Sequence, residues 1–134
     1  MIPFIDPVSK AELTIRDGSL VDSSGNVVAS VVDGFPRFVD EGGDYAKNFG
    51  WQWQHWHDTM SDARATGTAK RELIDKRTQF SRFDLEGKTI LECGMGGGDD
   101  TEVLLQMPFS EVHSFDLSRA VDRARKYLED SRLT

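Results

Sequence analysis

Apolar and polar positions alternate in short runs over about the first forty residues, then switch to helical spacing. Glu12 to Ile15, Ser19 to Val21, Val27 to Val32 and Phe35 to Val39 are β-prone pieces. Turn signals at Asp17-Gly18, Ser23-Ser24-Gly25-Asn26 and Asp33-Gly34 separate them. The pattern predicts a meander of hairpins over residues 1–43, with too little apolar content for a core of its own. Residues 44–84 read as a helical connector. Trp53, Trp56 and Met60 there follow i, i+3, i+7 spacing, as a buried aromatic stripe would. A further helix is expected over 69–83, with Leu73, Ile74, Arg77 and Phe80 near one face.

From residue 85 the order is strand, helix, strand, helix, which predicts an α/β fold with parallel strands. Lys88 to Cys93 follows Gly87 and is apolar enough for a buried strand. Asp99 and Glu102 have capping-box spacing, and Val103, Leu104, Leu105 and Met107 precede a stop at Pro108. Glu111 to Phe115 is the second strand, tipped by Asp116, and Ser118 is a candidate N-cap for the next helix. Ala120, Val121, Ala124 and Leu128 fall on one face of that helix. Arg119, Asp122, Arg123, Arg125 and Lys126 populate the other.

The chemistry concentrates where the first strand ends. Gly94, Gly96 and Gly98 stand at alternate positions, allowing a sharp turn and close approach of backbone to a ligand. Asp116 lies 22 residues past Gly94, about where a ribose-binding carboxylate belongs in a β-α-β unit. A dinucleotide pyrophosphate at this turn would want an electropositive setting. Glu92, Asp99 and Asp100 supply the opposite, so a nucleotide-dependent oxidoreductase or epimerase is disfavoured. Three acids suit a ligand with a cationic part, an amino group or a sulfonium. S-adenosylmethionine carries both.

The spacing Glu92-x-Gly94-x-Gly96-x-Gly98 with Asp116-Leu117-Ser118 resembles the first two motifs of class I S-adenosylmethionine-dependent methyltransferases. The resemblance implies that residues 85–134 are the first β-α-β-α portion of a Rossmann-like domain. It implies that Asp116 accepts the ribose hydroxyls, that Leu117 lies against adenine, and that Glu92, Gly94 and Gly96 engage the methionine moiety. Gly98 completes the turn and is counted with the cofactor-binding residues. In relatives a basic residue followed by Thr borders the methionine end, as in Arg77-Thr78, so Arg77 is a candidate for the cofactor carboxylate or else a helix-end charge. Tyr45, Phe49 and Gln52 are candidates for a cofactor lid.

The family also implies further strands carrying an adenine contact, the acceptor pocket and any catalytic base. The chain is therefore read as the N-terminal part of a longer enzyme, inactive alone and open to self-association through an unpaired sheet edge. A non-catalytic binding or regulatory module with the same fold is the alternative. Residues 1–43 resemble a Trm112-type zinc-ribbon segment that precedes some of these methyltransferases. The resemblance rests on Asp6-Pro7-Val8-Ser9, on Leu20-Val21-Asp22-Ser23-Ser24-Gly25 and on Val32-Asp33-Gly34-Phe35-Pro36-Arg37-Phe38-Val39. The family's cysteines are replaced by Asp6 and Ser9 and by Asp22 and Ser24, so a ribbon without its metal is expected.

Charge and composition narrow the partners. A net charge of −7 argues against nucleic acid, although Lys70, Arg71, Lys76, Arg77 and Arg82 form a locally basic stretch. No run approaches a membrane span, and the acceptor is expected to be a small molecule. A single cysteine, Cys93, rules out an internal disulfide and fits a reducing cytoplasm. Cys93 has no basic partner nearby and is read as a small buried residue, not a nucleophile. His55 and His57 sit on different helical faces with no ligand cluster around them, and His113 is read as structural. No catalytic residue and no acceptor chemistry is assigned.

Overall fold

A computed structural model describes residues 3–39, 48, 51, 52, 55 and 67–134. The chain divides into two compact units, Met1–Gly43 and Asp44–Thr134. The expected stripe of Trp53, Trp56 and Met60 lies outside the described residues, as do Tyr45, Phe49 and His57. Gln52 is half-buried, and the Trp51 ring stacks on His55 with centroids 4.4 Å apart. His55 is exposed and its Nδ1 lies 2.8 Å from the Trp51 carbonyl.

The first unit is an antiparallel meander of β1 (Phe4–Ile5), β2 (Glu12–Arg16), β3 (Ser19–Val21), β4 (Val27–Val32) and β5 (Phe35–Arg37). Strand β1, which the alternation did not signal, pairs Phe4 with Leu13. Both Asp-Gly turns adopt positive φ at each central residue, 49° and 73° at Asp17-Gly18 and 51° and 86° at Asp33-Gly34. That is the backbone a tight two-residue hairpin needs. Contrary to expectation the unit has a core of its own, although a small one: Leu13, Leu20 and Ala29 are buried, with Phe4, Val28 and Val31 packed against them.

The two turns at which a metal-free ribbon was expected, at Asp6 and at Asp22, are closed by carboxylates. Asp6 accepts from the Val8 and Ser9 amides at 3.0 and 3.1 Å and from the Ser9 hydroxyl. Asp22 accepts from the Ser24 and Asn26 amides at 2.9 and 2.8 Å and from the Asn26 side-chain amide at 2.9 Å. These donors hold both carboxyls below the usual aspartate range, Asp6 chiefly through Ser9 and Asp22 chiefly through Asn26. Among the described residues no three His, Cys, Asp or Glu side chains converge. Metal analysis of the purified chain is expected to find no stoichiometric zinc. One zinc per chain would show that these turns reorganise around a metal.

In the second unit α1 (Gly67–Thr78) is followed by a 3-10 turn (Phe80–Arg82), β6 (Thr89–Cys93), α2 (Asp99–Leu105), β7 (Glu111–Phe115) and α3 (Val121–Ala124). The single helix expected over 69–83 is broken at Gln79, whose φ is +57°. The break is held by Asp75, which accepts the Ser81 amide at 2.6 Å and the Ser81 hydroxyl at 2.7 Å. Of the predicted face only Ile74 is buried, while Leu73 and Arg77 are exposed and Phe80 is partly covered. Phe80 meets Phe109 edge to face at 5.6 Å.

Strands β6 and β7 pair in parallel, Thr89 opposite Glu111 through Cys93 opposite Phe115. One face of this pair carries Ile90, Glu92, Val112 and Ser114, and packs with Ile74, Val103, Leu104, Met107 and Phe109. On the other face Leu91 and Phe115 are 64% and 49% exposed, and Cys93 is exposed too. The expectation of a buried strand and a buried cysteine is therefore corrected: β6 alternates, because α1 and α2 cover only the Ile90 side.

Helix α2 starts from Gly98, in the left-handed region at φ +90°, with no side-chain cap. The capping box expected at Asp99 does not form. Helix α3 is shorter than expected and starts at Val121, with Ala120 rather than Ser118 at its N-cap position. Its predicted face holds nevertheless, with Ala120, Val121, Ala124 and Leu128 all buried. The chain then returns to the sheet. Val112 and Leu133 form a parallel bridge, with Val112 N to Arg132 O and Thr134 N to Val112 O both 2.9 Å. The outer edge of β7, expected to be open, is thus paired at this point. Arg132 fastens the return by donating to the carbonyls of Met107 and Phe109 at 3.2 and 3.1 Å, and to that of Leu105. Asp130 holds its guanidinium, and that contact lowers the Asp130 carboxyl to about 2.

Candidate functional site

At the carboxyl end of β6 the ladder runs on for two residues: the Gly94 and Met95 amides donate to Phe115 O at 2.8 and 3.1 Å. The chain then turns sharply, with φ +84°, +54° and +90° at Gly94, Gly96 and Gly98. Glycine visits such conformations without a Cβ penalty. The three glycines do different jobs. A Cβ on Gly94 would meet nothing within 4 Å, so space stands open above the turn. A Cβ on Gly98 would lie 2.8 Å from Ala124 Cβ and from Leu128 Cδ1, so Gly98 is where the turn packs on the last helix. Gly96 gives its amide to Asp116 Oδ2 at 2.9 Å.

Asp116 therefore joins the tip of β7 to the glycine turn. Its other oxygen accepts from the Ser118 amide at 2.8 Å and the Ser118 hydroxyl at 2.7 Å. A carboxylate has roughly four acceptor positions, so these three bonds leave one for a ligand hydroxyl. Leu117, beside it, is 57% exposed.

Glu92 points to the α1/α2 side, where Oε2 accepts from Thr101 Oγ1 at 2.7 Å and Ser114 Oγ at 2.8 Å. Burial pushes its carboxyl up, and the two hydroxyls oppose that push. The folded chain therefore holds this proton more tightly than the unfolded chain does. Stability from this group is full below the ordinary glutamate value and falls as pH rises through the raised one. Glu92→Gln, which keeps an acceptor oxygen but cannot ionise, is expected to melt higher than the parent at pH 8. The gap should close near pH 4. A gap of equal size at both pH values, read from circular-dichroism melts, would remove Glu92 from this linkage.

The acids around the turn are not equivalent. Asp99 is 6% exposed, and its Oδ2 has no hydrogen-bond partner among the described residues. Its Oδ1 is 3.8 Å from Arg123 Nη1, which donates to the Gly97 carbonyl at 3.3 Å alongside the Tyr127 hydroxyl. Asp100 is half exposed and pairs at 2.9 Å with Lys70 of α1, whose side chain is 11% exposed. Arg77 is exposed in the last turn of α1, while Lys70, near its start, reaches Asp100 in the first turn of α2. No motif marks Lys70. Its position four residues before buried Ile74, a charge on the apolar stripe, was the available signal.

No protein-family model matches the chain, and no curated protein does. Two solved chains match. One belongs to the complex between the Haloferax volcanii Trm112 methyltransferase activator and a protein described there as a methyltransferase. It is 22% identical, with a TM-score of 0.49 over 66% of this chain. The match covers 37% of that chain's length. Among the described residues no helix is long and apolar enough to cross a membrane.

Proposed function

We propose that the second unit binds S-adenosylmethionine at the carboxyl edge of β6 and β7 and serves a methyltransferase acting on a small-molecule acceptor. The observation that carries this is the open space above Gly94, bordered by Asp116 and by a turn rich in acids. The residues fit the ligand. Asp116 has one acceptor position left for a ribose hydroxyl, and Leu117 offers exposed apolar surface beside it for a base. Asp99 offers an ammonium one buried oxygen without a partner among the described residues, while Asp100 is already paired with Lys70. Bound there, the cofactor supplies an electrophilic methyl group. The part of this chain is to hold it: the glycine turn lets backbone approach, Asp116 orients the ribose, and Glu92 keeps β6, β7 and α2 in register through Thr101 and Ser114.

The same acids disfavour a pyrophosphate, so NAD is the informative control. Isothermal titration is expected to show binding of S-adenosylmethionine and S-adenosylhomocysteine and none of NAD. Binding of NAD alone would replace this reading with that of a nucleotide-dependent oxidoreductase.

A further inference from the structure

The sheet edge expected to be open, that of β7, is bridged by the returning Leu133, and the edge that stays bare is that of β6. Strand β6 pairs with β7 alone among the described residues. In a parallel ladder successive residues turn their peptide groups to opposite edges. The Gly94 amide donates to Phe115 O, so the peptide groups of Ile90 and Glu92 also face β7. Those of Thr89, Leu91 and Cys93 face outward, and the side chains of these three residues are all exposed. A row of unpaired peptide groups is a template for another strand. This row holds no proline and no outward charge. Glu92, the one charged residue of β6, turns to Thr101 and Ser114 on the helix side. Leu91, at the centre of the row, is 64% exposed.

What fits the row is a second copy of the chain. Two chains of net charge −7 repel each other, and they meet most easily where outward charge is absent. The row is also complementary to itself. A twofold axis at Leu91 sets Leu91 against Leu91 and Thr89 against Cys93 in both directions, so each outward N–H meets an outward C=O. An axis at any other residue of β6 leaves a member of the row unmatched. We propose that β6 pairs antiparallel with β6 of a second copy about this axis, joining two sheets into one. A strand of five residues makes a short interface, so the association is weak and depends on concentration. The inference does not rest on the cofactor reading.

Sedimentation equilibrium of the unsubstituted chain is expected to fit a monomer–dimer equilibrium. Leu91→Lys would set two ammonium groups against each other at the axis and should leave a folded monomer. Phe83→Lys, at a residue equally exposed but outside the row, should leave the dimer intact. Thr89→Cys reads the register. Opposite residues of such a pair have Cα atoms about 5.5 Å apart, within disulfide reach, so mild oxidation should link Thr89→Cys chains through Cys93 of the other copy. Within one chain the two thiols would stand roughly 13 Å apart along the strand, so any bond between them joins two copies. The unsubstituted chain should stay unlinked, since its two Cys93 residues are displaced along the pair by the same length. Chains that remain monomeric at every concentration, or a dimer that survives Leu91→Lys, would overturn the pairing. So would oxidised Thr89→Cys chains no more linked than unsubstituted ones. If Leu91→Lys fails to fold, the Thr89→Cys linkage decides alone.

Discussion

Gly98→Ala is expected to destabilise the second unit by about 2–5 kcal/mol, with Gly98→Val at or beyond the upper end. Two costs combine. The residue sits at φ +90°, where a side chain adds left-handed strain of ~1–2 kcal/mol. The new Cβ would also lie 2.8 Å from the Ala124 Cβ, an atom fixed to the backbone of α3 that cannot swing away. Relieving the clash means shifting α3, and with it the buried contacts of Met95, Val121 and Leu128. Gly94→Ala is the control. Its φ is similar, +84°, but its surroundings are open, so it should lose only the strain. It should also fill the space assigned to the ligand and abolish binding. Urea melts that show equal losses for the two substitutions would sink the packing argument for Gly98.

The elements legible in the sequence are those whose signal is local. The Asp17-Gly18 and Asp33-Gly34 turns set the hairpins because two adjacent residues with positive φ suffice to specify them. The face of Ala120, Val121, Ala124 and Leu128 was readable from helical spacing, even though the regular helix covers only Val121–Ala124. What was not legible depends on partners distant in the chain or on backbone geometry. Arg132 ends up bonded to carbonyls 23 to 27 residues earlier, and no spacing rule announces such a contact. The start of α2 was misplaced by one residue because Asp99 has the composition of a cap, whereas the left-handed backbone of Gly98 decides the matter. The exposed face of β6 escaped notice because Ile90, Leu91 and Cys93 look alike in hydropathy, and only the packing of α1 and α2 tells one side from the other.

The glycine turn shows the same division. Its position and its acids follow from spacing, but the separate tasks of Gly94, Gly96 and Gly98 follow from what each one faces. Likewise the basic stretch of α1 was visible as composition. Which of its members reaches α2 is a question of helix phase and of where α1 lies, and Lys70 is the one paired with Asp100.

Asp116→Ala is expected to have two separable effects, because the same carboxylate closes the turn and faces the ligand. The substitution removes the acceptor of the Gly96 amide, the Ser118 amide and the Ser118 hydroxyl, all part-buried. Donors left without a partner there cost ~1–3 kcal/mol apiece where water cannot replace the acceptor, so a loss of about 2–4 kcal/mol in stability is expected. Ligand affinity should fall by a further ~1.5–3 kcal/mol, the range for hydrogen bonds to a charged group. Ser118→Ala separates the two effects. It removes the hydroxyl that donates to Asp116 and accepts from the Ala120 amide at 3.2 Å, should cost about 1–2 kcal/mol of stability, and leaves the carboxylate in place for the ribose. Asp116→Asn should fall between them, since its amide oxygen can serve Gly96 or Ser118 but not both. Thermal melts give the first effect, and titration with S-adenosylhomocysteine below the melting range gives the second. Unchanged melting of Asp116→Ala would show that the glycine turn holds its shape without this carboxylate, and unchanged affinity in the folded variant would remove Asp116 from the ligand site.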